Sequence, residues 1–293
     1  MNKTDPRKWC VSDILKWSRQ YLSEHGIESP QLEAEWMLRD LLNYSRIEVY
    51  MNHDKPLSMS ELAGFKSLLL ERVKGRPLQY ILGYTEFMGL KINVNPDVLI
   101  PRSETEVIVE YLLKTSYTKW KEPAILDIGT GSGNIAISLA ANIDRAKILA
   151  IDISNGALKI AKENARNNDV ADRIKFVQLD ILQEFPEKDT KYDIIVSNPP
   201  YVGGDKYDNL PDIVRRFEPK VALHPGKDEY IFYKRITEYA VDCLSESGIM
   251  VVEIGGTYQE EEIKAIISGY GMEIVEVIQD YIIQSRGIVA KLK

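Results

Sequence analysis

The sequence is poor in the residues that cross-link a chain or hold a metal. Only two cysteines occur, Cys10 and Cys243. They lie far apart with no CxxC spacing, which argues for reduced thiols and against a disulfide framework or a zinc site. The three histidines, His25, His53 and His224, show no HxxxH-type spacing, so no protein-bound catalytic metal is expected. No run of about 18 apolar residues exists, which excludes a helical membrane span. The opening "MNKTDPRKWC" lacks the apolar centre of a signal peptide, so the expected location is the cytoplasm. A basic excess is missing too. The formal charge of −7 argues against a chain built mainly to coat nucleic acid, and the acidity belongs to the C-terminal two-thirds.

What is present is a globular composition, 44% hydrophobic and 28% charged, on 293 residues, which is enough for two ordinary domains with real cores. Residues 1–79 read as an N-terminal helical domain suited to docking a substrate. Helical spacing is clear in "VSDILKWSRQYL", with Ser12 as the N-cap. It recurs in "SPQLEAEWMLRDLL", where Ser29 caps and Pro30 takes the first helical position. In "SMSELAGFKSLLLERVKG", Ser58 and Glu61 have capping-box spacing and Gly75 suits the C-terminal end. Trp9, Trp17, Trp36, Leu41 and Leu42 are the expected core of this bundle. Residues 80–104 switch toward period two, with Gly83, Gly89 and Pro96, and read as a β-hairpin linker.

From 105 to 293 strands alternate with helices. Strands are readable at "AILDIG", "KILAID", "IKFVQL", "YDIIVS" and "GIMVVEIG", and "MEIVEVIQD" and "IIQSRGIVAKLK" are expected to add two edge strands, at least one antiparallel. Such alternation predicts an α/β domain with a mostly parallel sheet covered on both faces.

"AILDIGTGSGNIAISLA" places Gly129, Gly131 and Gly133 between a strand and a helix, where a ligand can approach the backbone and the helix N-terminus. The pattern alone does not separate a nicotinamide dinucleotide from S-adenosylmethionine. Asp127 favours the second. A carboxylate two residues before the loop would repel a pyrophosphate, whereas S-adenosylmethionine brings an α-ammonium and a sulfonium that it attracts. Asp152, at the end of the next strand, is placed for ribose hydroxyls. Asp180, in "FVQLDIL", is placed for the adenine amino group with Ile181 against the ring, although Asp180 could equally cap a helix.

The fourth strand, "YDIIVS", ends in Asn198-Pro199-Pro200-Tyr201. An amino group conjugated to a carbonyl or a ring is a poor nucleophile. A site helps by accepting hydrogen bonds from both of its N–H groups, which turns the lone pair toward the methyl donor. Asn198 Oδ1 and the Pro199 carbonyl are the candidate acceptors. The prolines hold the turn, and Tyr201 offers a face for stacking. This chemistry suits an exocyclic amine of adenine, guanine or cytosine, or the side-chain amide of glutamine.

With "NVNPDVLIPRSETE" (93–106), "DIGTGSGNIA" (127–136), "SNPPY" (197–201), "FEPKVAL" (217–223) and "EIGGTYQ" (253–259) in order, the chain resembles the HemK-type glutamine methyltransferases, which modify the Gly-Gly-Gln glutamine of peptide chain release factors. The resemblance implies a class I S-adenosylmethionine-dependent methyltransferase domain, Rossmann-like with a mostly parallel seven-stranded sheet, preceded by the small helical domain. It implies cofactor contacts at Gly129, Thr130, Gly131, Ser132, Gly133, Asp152 and Ile181, and substrate contacts at Asn198 to Tyr201. Arg102 and Glu104 are expected to shape the pocket. The implied partner is a release factor, with no direct nucleic acid and no membrane. Where the family usually reads Pro-Arg-Pro, this chain has Ser103, and "GKDEY" (226–230) replaces its usual Gly-x-Asp-Gly-Leu. The remaining alternatives are a glutamine of a large-subunit ribosomal protein, a nucleic-acid amino group, and an NAD(P)-dependent oxidoreductase.

Overall fold

The computed structural model describes residues 8–186 and 189–293. The chain divides into two compact units, Met1–Gly83 and Tyr84–Lys293, each with its own core. The linker expected at 80–104 does not form a separate piece. Its first residues close a helix of the first unit, and the rest belongs to the second.

The first unit contains α1 (Val11–Glu24), α2 (Pro30–Leu42), α3 (Arg46–Met51), α4 (Met59–Val73) and α5 (Leu78–Leu82). The Ser58–Glu61 capping box is present, with Gly75 in the left-handed region after α4. A second such box, Ser45 with Glu48, opens the short α3. α1 begins one residue ahead of the expected cap. Cys10 occupies the N-cap and its N–H donates to Asp13, so Ser12 lies inside the helix. Trp9, Trp36, Leu41 and Leu42 are partly buried and pack against the core as expected, but Trp17 does not, and the fully buried residues are others. Val11, Leu22, Met37, Leu38, Phe65 and Leu69 are buried, while Trp17 is 42% exposed and stacks on Tyr21 at a centroid distance of 5.0 Å. Aliphatic side chains fill the space between closely packed helices, and the broad indole of Trp17 covers the outside of α1.

The second unit opens with the hairpin β1 (Tyr84–Phe87) and β2 (Leu90–Asn93). Its two-residue turn, Met88-Gly89, has both φ values positive, as the twist of a tight hairpin requires. There follow α6 (Ser103–Lys119), β3 (Ala124–Ile128), α7 (Asn134–Asn142), β4 (Lys147–Asp152), α8 (Asn155–Asn167), β5 (Ile174–Gln178) and β6 (Tyr192–Ser197). Next come the short α9 (Gly204–Asp208), α10 (Asp212–Phe217) and α11 (Lys220–Leu223). The chain then completes α12 (Ile231–Cys243), β7 (Leu244–Glu253), α13 (Thr257–Gly269), β8 (Met272–Gln279) and β9 (Ser285–Leu292). Between β5 and β6 the described residues form only a turn.

The seven strands run in the order β5-β4-β3-β6-β7-β9-β8. β3 to β7 pair with one another in parallel, and β9 is antiparallel to both β7 and β8. The expectation of two edge strands is therefore corrected: β8 alone is at that edge and β9 lies inside. The burial patterns give the reason. β8 is exposed at Glu273, Val275, Glu276 and Gln279, half of its length, whereas the run Gly287 to Ala290 in β9 is continuously buried, as a strand covered on both sides must be. The strand order reverses between β3 and β6, and α/β sheets open a ligand crevice at such a reversal, outside the carboxyl ends of the strands. The pairing of Ile128 with Ser197 brings the glycine loop and the Asn-Pro-Pro-Tyr turn out of the sheet side by side.

Candidate functional site

A cavity of about 320 Å³ opens at this reversal, within the size range of small-ligand sites. Arg102, Gly129, Thr130, Gly131 and Ser132 line it from one side. Asp152, Asp180, Ile181, Asn198, Pro199 and Pro200 complete it from the ends of β4, β5 and β6. Four of the residues expected at the site are not part of the lining: Glu104, Asp127, Gly133 and Tyr201.

The three glycines are all left-handed, with φ of 73° at Gly129, 56° at Gly131 and 82° at Gly133, yet they serve different ends. A Cβ on Gly129 would meet nothing, and on Gly131 nothing closer than a carbonyl at 4.0 Å, so both leave room at the cavity wall. A Cβ on Gly133 would come within 2.9 Å of Ile137 and 3.1 Å of Ala161. Gly133 is thus required for α7 to pack on α8 and stands behind the site. The loop is held by Asp152, whose Oδ2 accepts from Gly131 N–H at 2.8 Å and whose Oδ1 accepts from Ser154 N–H at 2.8 Å. Burial raises the Asp152 carboxyl, and these two amides offset only part of the rise. Asn164, fully buried on α8, adds a second tie: its Nδ2 donates to the carbonyls of Ser132 and Asn93.

Asp127 lies directly behind the loop, without solvent contact. Thr130 Oγ1 donates to its Oδ2 at 2.6 Å, while Oδ1 makes no hydrogen bond. Burial pushes its carboxyl up to about 7, against the lowering effect of Thr130 and of the Ala136 amide, with the nearby Asp152 adding to the rise. A buried acceptor with an unanswered oxygen is costly unless a donor or cation completes it. Together with the open space at Gly129 and Gly131, this fits a ligand that carries positive charge and approaches the backbone closely, as S-adenosylmethionine does. A pyrophosphate would bring a second negative charge to the same place.

Asp180 is half-buried and its Oδ1 accepts from Leu182 N–H at 2.9 Å, which builds the turn after β5. It is therefore a local cap as well as a lining residue. Ile181 is buried and also packs in the core of the sheet.

Asn198 Nδ2 donates to Thr105 Oγ1 at 3.2 Å, across 93 residues of sequence. Pro199 is buried beside it. Tyr201 packs against the core and close to Gly255, and burial holds its phenol well above the usual range. Its carbonyl accepts from Gln259 Nε2 at 3.2 Å, and Gln259 also donates to Glu229 at 2.7 Å and accepts from Gly255 N–H. The turn is clamped at both ends.

Arg102 does not pair with Glu104. Its Nη2 donates to Glu218 Oε1 at 2.6 Å, and Glu218 Oε2 accepts from Ile100 N–H at 3.3 Å. The "FEPKVAL" stretch thus pins the loop ahead of α6. Glu104 faces Arg286 at 3.8 Å instead. Arg215 pairs with Asp212 on the surface. Thr105, Glu218, Glu253 and Gln259 were given no role by sequence reasoning, although each lies in a stretch quoted above. Nothing in a motif says which distant group its polar residue will meet. Among the described residues no cluster of three or more His, Cys, Asp or Glu side chains could hold a metal, and no helix is long and apolar enough to cross a membrane.

Residues 13–83 match the family described as the PrmC N-terminal domain, and residues 103–222 match the methyltransferase small domain. The chain is 41% identical over 250 residues to a release factor glutamine methyltransferase of Geobacter sulfurreducens, covering 85% of this chain and 86% of that protein. It is 36% identical over 291 residues to one of Chlorobaculum tepidum, covering 97% and 98%. Among solved structures, a methyltransferase from Pyrococcus furiosus shares the fold, with a TM-score of 0.50 at 18% identity over 69% of this chain and 88% of the other.

Proposed function

The chain belongs to the family of release factor glutamine methyltransferases, and we propose on that ground that it methylates the side-chain amide nitrogen of the Gly-Gly-Gln glutamine in a peptide chain release factor. S-adenosylmethionine is its cofactor and supplies the methyl group. The observation that carries the reading is the juxtaposition, in one cavity, of the open glycine loop with an asparagine whose Nδ2 is already engaged by Thr105.

Asn198 Oδ1 and the Pro199 carbonyl accept the two N–H groups of the incoming amide. Both acceptors favour the positive charge that develops on nitrogen as the N–C bond forms and the C–S bond breaks. The pair also holds the amide plane so that its weak lone pair meets the methyl group in line. One N–H proton then leaves to water, restoring a neutral, methylated amide. Asp127 and Asp152 favour the cationic groups and the ribose of the cofactor, and the glycines give it room. Arg102, fixed by Glu218, shapes the wall facing the turn.

The test is transfer of labelled methyl from S-adenosylmethionine to a purified release factor, with the Gly-Gly-Gln glutamine intact or changed to alanine. Labelling is expected only on the intact protein. Labelling of a ribosomal protein, DNA or rRNA with the release factor untouched would reassign the substrate. Asn198→Ala is expected to bind cofactor normally and to lose at least about a hundredfold in kcat, in line with removal of a single acceptor of developing charge.

A further inference from the structure

Two buried side chains stand behind Asn198. Thr105, in the first turn of α6, is 1% exposed, and Glu253, at the end of β7, is 2% exposed. Asn198 Nδ2 donates to Thr105 Oγ1 at 3.2 Å, and the Thr105 hydroxyl, as a donor, lowers the buried Glu253 carboxyl. We propose that Thr105 and Glu253 are positioning residues that set the orientation of the Asn198 amide, so that Oδ1 and not Nδ2 meets the substrate nitrogen. The inference rests on the reading of Asn198 as an acceptor and explains how that acceptor is kept facing the right way.

An asparagine amide is nearly symmetric in shape, so packing alone does not choose between its oxygen and its nitrogen. Hydrogen-bond direction does. An ionised carboxylate only accepts. Thr105 has a single O–H, and Glu253 takes it. Toward Asn198 the Thr105 oxygen can then only accept, and Nδ2 must face it. Oδ1 is left as the group offered to a ligand. With an apolar residue at 253, Thr105 could donate to Oδ1 just as well, and the turn would present N–H donors to a substrate that is itself an N–H donor.

A structural ion pair does not account for Glu253. The cations nearest to it are engaged elsewhere, Arg102 on Glu218 and Arg286 on Asp280. Glu253 Oε2 makes no hydrogen bond. The groups facing its carboxyl are Glu104 on α6, Arg102 ahead of α6, Arg286 on β9, and the phenols of Tyr201 and Tyr233. Burial dominates their combined field and pushes the Glu253 carboxyl up to about 7. A protonated Glu253 can donate to Thr105. The chain of bonds then reverses, and Asn198 is free to turn its oxygen inward.

The experiment measures kcat at saturating S-adenosylmethionine, cofactor Kd and the pH profile of kcat for the full-length protein and four variants. Thr105→Val keeps the shape and removes the link, and is expected to lower kcat about tenfold or more with Kd within about twofold. Thr105→Ser is expected to restore most of the loss. The wild type should lose turnover as pH falls through about 7, and Glu253→Gln, which does not titrate, should lack that acid limb whatever its plateau. Wild-type kcat in Thr105→Val, or an unchanged acid limb in Glu253→Gln, overturns the proposal. Asn198→Ala separates the two levels. If it keeps turnover, the acceptor reading itself fails; if it abolishes turnover while Thr105→Val does not, only the positioning role is wrong.

Discussion

At the scale of single residues, Asp127 carries a charge that its own surroundings do not favour. The ordinary value for its carboxyl is 3.8, and burial holds it at about 7 in the folded protein. Between those two values the folded chain binds a proton that the unfolded chain has released. Stability of the unliganded protein therefore falls as pH rises through that window, and the penalty of the buried charge is fully present above it. A cation placed beside Asp127 favours the ionised form, so cofactor binding near neutrality must expel a proton. Affinity for S-adenosylmethionine is expected to strengthen as pH rises from 5.5 to 7.5. Asp127→Asn should flatten that dependence and weaken binding by about tenfold, the equivalent of one pKa unit. Calorimetry in two buffers of different ionisation enthalpy checks it, and an absence of proton release would exclude the assigned role. The position of Asp127 was legible in the sequence because strand, acid and glycines are neighbours. The unanswered Oδ1 was not, since it depends on how α7 and β4 close around it.

At the scale of elements, the glycine loop separates two demands that its spacing runs together. Gly131→Ala strains a left-handed φ and fills space at the cavity wall, whereas Gly133→Ala drives a methyl group against Ile137 and Ala161. The first is expected to weaken cofactor binding more than stability. The second should destabilise the protein by about 1–3 kcal/mol, the usual cost of overpacking, even without cofactor. Chemical denaturation beside cofactor titration distinguishes them, and equal effects on both quantities would show that the loop acts as a single unit. The strands themselves were readable because parallel strands buried on both faces form continuous apolar runs. The place of β9 differs from the expectation, because an apolar run does not say which strands will pair with it. The helices α3 and α5 are too short for a periodic signal.

At the scale of the whole molecule, the two units have separate apolar cores, one built from α1 to α5 and the other from the sheet with α12 and α13. Every residue lining the cavity belongs to the second unit. The fragment 84–293 is therefore expected to fold and to bind S-adenosylmethionine within about threefold of the full chain, by the near-additivity of parts that share no partners. If the helical unit docks the release factor, the fragment should show a raised KM for that substrate with cofactor affinity kept. A fragment that binds no cofactor would show that the first unit is needed to form the site.

Local constraints were settled by the sequence alone: which longer segments become strands or helices, where glycine permits a ligand to approach, and where two prolines hold an asparagine at a strand end. Each depends on residues within a few positions of one another, so period and spacing reveal it. Tertiary structure alone decided that β9 lies inside the sheet, that Arg102 meets Glu218 across 116 positions and that Asn198 meets Thr105 across 93. A hydrogen bond is a relation between two groups and has a direction. Until the fold brings those groups together, the sequence names the donor and the acceptor but not which of them will meet.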